Sequence, residues 1–456
     1  VVVLRCLCAL GLAWSALRAG AAAGSASDLR AALGDTNALG ADHWIYNDLP
    51  AAFAQAKATG KPLWVVFRCV NTPFGAGFDA TVMRTNRTLI ELARSQFVCA
   101  RVVDLAAVDL SQFQFDYDLP WAAMFLNADG TVYGRFGSRA GGDFEAENTE
   151  VALQRAALQA LVLHAQYPTN APVLAAKRGA PKPYRTVSQM PAFDGRREVY
   201  GPSEGQTCIR CHAVHDAENT YWQSQGFLPF EKLWRYPSPA SVGVELDPKV
   251  GCRVRKVLPG SPAQLAGLEE TDTLAQLNGQ PVVSIADVQW VLHQLPNTNL
   301  TLEVEYLREV VLPATGGTAG TTEFTREQRL QKAQLQLARG WKRTDFAWRA
   351  SNLAIKPRLG FTTVALSDED LFALNLPPGV AAHRVKALEF DRAEGRTAAE
   401  AGLRVGDVIV AVAGQAFSLS PQEWQLYIKQ SYKVGDTVPL TILRSGRSLP
   451  IQLPLK

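Results

Sequence analysis

Cysteine, histidine and methionine are all scarce in this 456-residue chain, at seven, six and three residues. Cys6 and Cys8 fall in an N-terminal apolar run, which leaves Cys69, Cys99, Cys208, Cys211 and Cys252. An odd number at wide spacings is not the disulfide framework of a small secreted domain. Charge of one sign is lacking as well: the formal net charge is +3, and without Arg5 and Arg18 of the N-terminal run 44 basic residues face 43 acidic ones. That balance argues against nucleic acid as a main partner. After the N-terminal run no stretch has the roughly 20 apolar residues that a membrane-spanning helix needs. A serine protease is set aside, on the expectation that no G-x-S-x-G or G-[DN]-S-G-G nucleophile string is present.

Residues 1–26 carry what a secretory signal requires. Arg5 supplies the positive charge, Cys6–Leu17 the apolar run, and Ala21-Ala22-Ala23-Gly24-Ser25-Ala26 a small-residue cleavage zone. The mature protein is expected in the periplasm or otherwise outside the cytoplasm, without a membrane span. At 456 residues it has room for three or four domains.

The string Cys208-Ile209-Arg210-Cys211-His212 stands mid-chain. C-x-x-C-H is the attachment signal for c-type haem, with two thiols for the vinyl groups and His212 as an axial nitrogen to the iron. The same residues also fit a redox dithiol, half a zinc site, or a motif that binds nothing. No Met follows Met190, so the distal ligand would be Met190 itself, a residue from another domain such as His43, or none.

Upstream, Leu49–Ala58 has helical periodicity and Leu63–Phe67 is a continuous apolar run, the pattern of a strand buried on both faces. A helix around Asn86–Ser95, a strand at Phe97–Asp104, a hairpin turning at Asn127-Ala128-Asp129-Gly130 and a helix over Asn148–Ala165 follow. This order resembles the thioredoxin fold over residues 40–165. The resemblance implies a cis proline at Pro120, against an active-site C-x-x-C pair. The two pair positions hold Thr72 and Gly75, neither of which carries a thiol. Cys69 is the one thiol nearby, read as a partly buried remnant or as a lone reactive cysteine; Cys99, inside a strand, reads as a small apolar residue. Within residues 166–237, punctuated by Pro168, Pro172, Pro181, Pro183 and Pro191, Tyr167–Met190 reads as a surface linker and Cys208–Gln223 as helical.

An internal repeat organises the remainder. Ala266-Gly267-Leu268, Asp272, Leu274, Leu277 and Gly279-Gln280 recur as Ala401-Gly402-Leu403, Asp407, Ile409, Val412 and Gly414-Gln415, each 135 residues on. With Pro259-Gly260-Ser261-Pro262-Ala263 ahead of the first copy, the pattern resembles the bacterial PDZ domains attached to high-temperature-requirement (HtrA) proteases. That resemblance implies small β-barrels with a peptide groove between a strand and a helix, here Ser284–Leu295 and Pro421–Lys429, with Trp424 or Leu426 facing in. The carboxylate-holding loops would be Val242-Gly243-Val244 and Arg358-Leu359-Gly360-Phe361, the second closer to the family pattern and the stronger expected peptide site. Between the copies, Ala314–Thr322 reads as a flexible linker and Thr325–Ala338 as a polar helix.

The expected architecture is a multidomain α/β plus mainly-β chain: signal 1–26, thioredoxin-like domain 27–165, linker and C-x-x-C-H segment 166–237, PDZ-like domain 238–313, linker 314–350 and PDZ-like domain 351–456. As a whole it resembles a bacterial family of exported thioredoxin-like/PDZ proteins, some of which carry selenocysteine in the redox loop. The implied role is extracytoplasmic protein quality control. The reading taken is a peptide-binding adaptor for C-terminal or unfolded segments of exported proteins, with haem c as candidate cofactor. The alternative is a thiol–disulfide oxidoreductase working through Cys208 and Cys211, with Cys69 as a further thiol.

Overall fold

The computed structural model describes residues 26–35, 39, 41–200, 206–226, 228–313, 324–342, 345, 348–377 and 379–456. Residues 1–25 of the signal read at 1–26, and the linker read at 314–322, lie outside them.

A five-stranded sheet organises the N-terminal domain. Its strands are β1 (Trp44–Tyr46), β2 (Leu63–Arg68), β3 (Val98–Val102), β4 (Trp121–Leu126) and β5 (Val132–Phe136), in the order β1-β3-β2-β4-β5. β3 is parallel to both β1 and β2, whereas β4 runs antiparallel to β2 and to β5. Every residue of β2, β3, β4 and β5 is buried, Arg68, Arg101 and Arg135 included, as a sheet covered on both faces requires. Those helices are α1 (Leu49–Thr59), α2 (Arg87–Gln96) and α3 (Glu150–Ala165). Each is started by a side chain that satisfies a free backbone N–H: Asp48 accepts from Ala51, Asn86 from Leu89 and Thr149 from Ala152.

The middle segment is part of this domain's core rather than a surface linker. Met190, Cys208, Ile209, Cys211, Val214 and Ala217 pack into the same hydrophobic cluster as β2 to β5. The Asp104 carboxylate accepts from Ile209 N at 2.9 Å and from Arg197 at 2.6 Å, while Leu105 N donates to the Ile209 carbonyl at 3.1 Å. Helix α4 (Ala213–Ser224) follows. Lys177, in the stretch read as linker, is 1% exposed and reaches Asp287 at 2.8 Å.

The first repeat contains the hairpin pair β6 (Val244–Leu246) and β7 (Val254–Val257), then a sheet of β8 (Thr273–Leu277), β9 (Gln280–Pro281), β10 (Leu300–Pro313) and β11 (Phe324–Leu337). The sheet order is β9-β8-β10-β11. β11 overturns two expectations. Residues 325–337 are a strand and not a polar helix, and they pair with β10 over its full length, so this domain continues past residue 313. Its helix α5 (Ile285–Gln294) is buried almost all round, because the side away from its own barrel docks on β5. There Asp287 accepts from Arg135 N at 3.1 Å, and the Arg135 guanidinium lies 3.7 Å over the Trp290 ring.

The second repeat orders β12 (Phe361–Ala365), β13 (His383–Leu388), β14 (Val408–Val412), β15 (Thr437–Arg444) and β16 (Arg447–Pro454) in sequence, with helix α6 (Pro421–Ser431) between β14 and β15. The repeat seen in the sequence has one mechanical meaning in both copies. Asp272 is held by Arg308 through two bonds of 2.8 and 2.7 Å, and Asp407 by Arg444 through two of 2.7 Å. The same guanidinium reaches the carbonyl of Gly267 in one copy and Gly402 in the other, locking the A-G-L turn to the barrel.

Candidate functional site

The peptide groove of the first repeat is open. A cavity of about 630 Å³ runs between Val244, Glu245 and Leu246 of β6 and Ile285 and Gln289 of α5. Among the described residues β6 pairs as a strand only with β7, which leaves its outer edge to an added strand. Its far wall comes from another domain, through Ser138, Ala140 and Glu147, and its loop end is formed by residues 238–241. Gly243, singled out with Val242 and Val244, has φ of +101°, and a Cβ there would sit 2.2 Å from Ser261 Oγ. Its N–H is already engaged with the Ala240 carbonyl at 3.0 Å. Among the described residues the Ser241 hydroxyl at this end is buried with no hydrogen-bond partner.

The second repeat holds Arg358-Leu359-Gly360-Phe361 in the expected place, ahead of the edge strand β12. Gly360 has φ of +73°, and a Cβ would come within 2.2–2.3 Å of the Glu394–Gly395 backbone. The helix wall differs from the expectation. Trp424 is fully buried in the barrel core with Phe361, and Leu426 is buried against Leu228, Leu233, Trp234 and Ile355 in a separate cluster. Lys429 donates to the carbonyls of Asn352 and Ile355, and Gln430 to that of Leu228 at 2.6 Å. The chain's own middle segment therefore lies on this helix.

The C-x-x-C-H segment is brought beside the loop after β2. A cleft of about 230 Å³ there is lined by Cys69, Thr72, Pro120, Arg210, Cys211 and His212 among others. Pro120 accepts from Cys69 N at 3.0 Å, but its own peptide bond is trans; the cis bonds among the described residues precede Pro168 and Pro357. Gly75, with φ of +72°, packs its backbone against Phe144 and Trp121, where no thiol could be accommodated without strain. Burial pushes the Cys69 thiol up, lifts Cys208 to about 12 and raises Cys211 well above the ordinary thiol, so none is held as a thiolate at neutral pH. All three are free thiols, and Cys208 and Cys211 are only 3% and 5% exposed.

Haem does not fit these residues. The cleft is smaller than the roughly 300–1,000 Å³ of small-molecule pockets, and both thiols are packed into the first domain's core. His212 binds Asp216 through Nδ1 at 2.9 Å. Met190 lines a different cavity from His212, and His43 lies in the turn before β1, so neither stands across from it as a second ligand.

A buried polar cluster that the sequence did not announce ties three regions together. Asp118 accepts from His215 Nδ1 at 2.9 Å and from Ser351 Oγ at 2.8 Å, and Arg349 donates to Asp116 at 2.6 Å. The serine and histidine are both turned to the same carboxylate, which is the arrangement of a structural lock. Its members come from residues 116–118, 215 and 349–351, too far apart in sequence for any spacing rule to join them.

The model of the PDZ domain family matches residues 253–305 and 393–444, and the chain carries two PDZ domains. It is similar to proteins described as "Probable periplasmic serine endoprotease DegP-like". The one from Pseudomonas fulva (strain 12-X) is 28% identical over 212 residues, 44% of this chain and 37% of that protein. The one from Ectopseudomonas mendocina (strain ymp) is 29% identical over 203 residues, 44% of this chain and 38% of that protein. The chain thus spans less than two fifths of the length of these relatives. Among solved structures, "HtrA-type protease AlgW with decapeptide" aligns at 16% identity over 34% of this chain and 49% of that one, with a TM-score of 0.19.

These relatives correct the expectation about enzyme class. The chemistry named for them is serine endoproteolysis, and the expectation of a non-enzyme, or of a thiol–disulfide oxidoreductase without protease character, does not stand. The motif argument behind it fails too, because Gly201-Pro202-Ser203-Glu204-Gly205 does fit G-x-S-x-G. Those five residues lie outside the described ones, between the two-residue strands Glu198–Val199 and Thr207–Cys208.

Proposed function

We propose that this chain binds C-terminal segments of exported proteins in the groove of its first PDZ domain and so recognises clients in extracytoplasmic protein quality control. Proteolysis by a serine endoprotease, the activity that the DegP-like relatives are named for, is the fate proposed for the captured chains. The observation that carries this reading is the open cavity of about 630 Å³ between β6 and α5. An extended peptide would add to the β6 edge through main-chain hydrogen bonds, with side chains in the cavity and its terminus toward residues 238–241. The N-terminal domain, whose sheet order and crossovers support the thioredoxin-like reading, would serve as a scaffold and second docking surface rather than as a redox centre, because Thr72 and Gly75 replace the thiol pair.

The test compares one apolar-ended peptide in acid and amide form by fluorescence polarisation on the intact chain. A lost charged hydrogen bond is worth roughly 1.5–3 kcal/mol, so the amide should bind at least about tenfold more weakly. Equal titration curves would remove the terminal carboxylate from the recognition mechanism.

A further inference from the structure

A second cavity, of about 660 Å³, lies where the N-terminal domain, the middle segment and the first PDZ domain meet, apart from the peptide groove and the thiol cleft. Tyr117, Tyr221, Trp222 and Trp234 give it aromatic walls. Four cations and two carboxylates, Glu218 and Glu231, line it, and two of the cations share Glu218: Arg235 lies 3.1 Å and Lys182 3.5 Å from it. Lys232 and Lys342 do not. Lys342, 7% exposed, donates to the His293 carbonyl at 2.8 Å, and the Lys232 ammonium lies 5.2 Å from the Trp222 ring. Among the described residues neither lysine forms an ion pair. Burial and then the Lys232 charge hold the Lys342 ammonium down to about 8, as two like charges facing one partly dry space should.

We infer that this cavity binds a small organic anion with a planar aromatic body, its acid group set between Lys232 and Lys342 and its ring against the Tyr221 and Trp222 walls. The anion supplies the charge that the two lysines lack, and the rings supply apolar area. The volume lies within the range of small-molecule pockets.

Two probes of matched shape test this on the intact chain: the anion 8-anilinonaphthalene-1-sulfonate and the neutral N-phenyl-1-naphthylamine, each titrated by fluorescence. The sulfonate should saturate one site and bind about tenfold tighter than the amine. Lys232→Gln, at an exposed position that leaves folding intact, should weaken the sulfonate severalfold and leave the amine unchanged, and Lys342→Gln should do the same. A C-terminal peptide should not displace the sulfonate. Equal affinity of the two probes, indifference of the sulfonate to both lysine replacements, or displacement by the peptide would each overturn the assignment.

Discussion

The two PDZ domains share a sequence pattern, a barrel and an Arg–Asp lock, yet the surroundings of their helices differ. In the first, the cavity beside β6 is open and another domain completes its wall. In the second, the loop Arg358-Leu359-Gly360-Phe361 is nearer the family pattern, but the α6 residue Leu426 is buried under Leu228, Leu233 and Trp234. The module with the better loop is thus the one whose helix is covered. What differs is the neighbourhood: α5 of the first module leans on β5 with its back, while α6 of the second meets the middle segment with Leu426 and Gln430. Docking between domains is thus expected to set groove availability in this chain, and each prediction below tests that.

The largest effect is expected at Arg349. It is 1% exposed and holds Asp116 at 2.6 Å, the Arg235 carbonyl at 2.7 Å and Asp118 at 3.3 Å, just ahead of the second module. Arg349→Ala leaves two buried carboxylates without their cation, a loss of about 3–5 kcal/mol. The midpoint of urea unfolding should fall accordingly, and limited proteolysis should cut between the second module and the rest before either unfolds. Unfolding as one cooperative unit at the wild-type midpoint would show that this cluster does not hold the second module down.

A smaller, more local effect is expected at Leu233, which is fully buried in the cover over α6. Leu233→Ala removes buried methyl groups, with a local loss of about 2–5 kcal/mol. If the cover is what separates the two grooves, calorimetric titration with an apolar-ended peptide should move from one site per chain toward two. An unchanged stoichiometry in a folded variant would break the comparison.

How legible all this was in the sequence depends on the range of the interaction. Leu63–Phe67 declared a central strand because burial on both faces needs an unbroken apolar run, and all of β2 is buried. The 135-residue repeat declared a duplicated domain because Asp272 and Asp407 have the same local task. Residues 325–337 misled because Arg, Glu, Gln, Lys and Leu are good helix formers. The signal that could have found the strand is the alternation of Ala333, Leu335 and Leu337, all buried, against exposed Gln334 and Gln336. Nothing in the sequence paired Lys177 with Asp287 or laid Leu233 on Leu426, since these contacts exist only after whole domains have docked. The C-x-x-C-H string was conspicuous for the opposite reason: its spacing suits haem, but its thiols are packed into the first domain's core, where spacing alone gives no warning.

The smallest effect is expected inside the open groove. Ser241 lines its loop end, and its hydroxyl is buried without a partner among the described residues, whereas Gly243 N–H is already engaged by Ala240. Removing a buried hydroxyl that bonds to nothing takes away a desolvated group without breaking a contact, so Ser241→Ala should leave stability unchanged or slightly raised. Binding should respond differently. A hydroxyl hydrogen rotates to whichever acceptor is offered, and a terminal carboxylate arriving beside residues 238–241 would be the acceptor this one lacks. Loss of one such charged bond is worth roughly 1.5–3 kcal/mol, a fall of about tenfold or more in affinity for the acid peptide and a smaller one for the amide, whose carbonyl is a weaker acceptor. The acid–amide difference measured on the two proteins isolates that term. A Ser241→Ala variant that keeps the full difference would shift the carboxylate away from this end of the groove, leaving strand addition to β6 as what distinguishes the first module from the second.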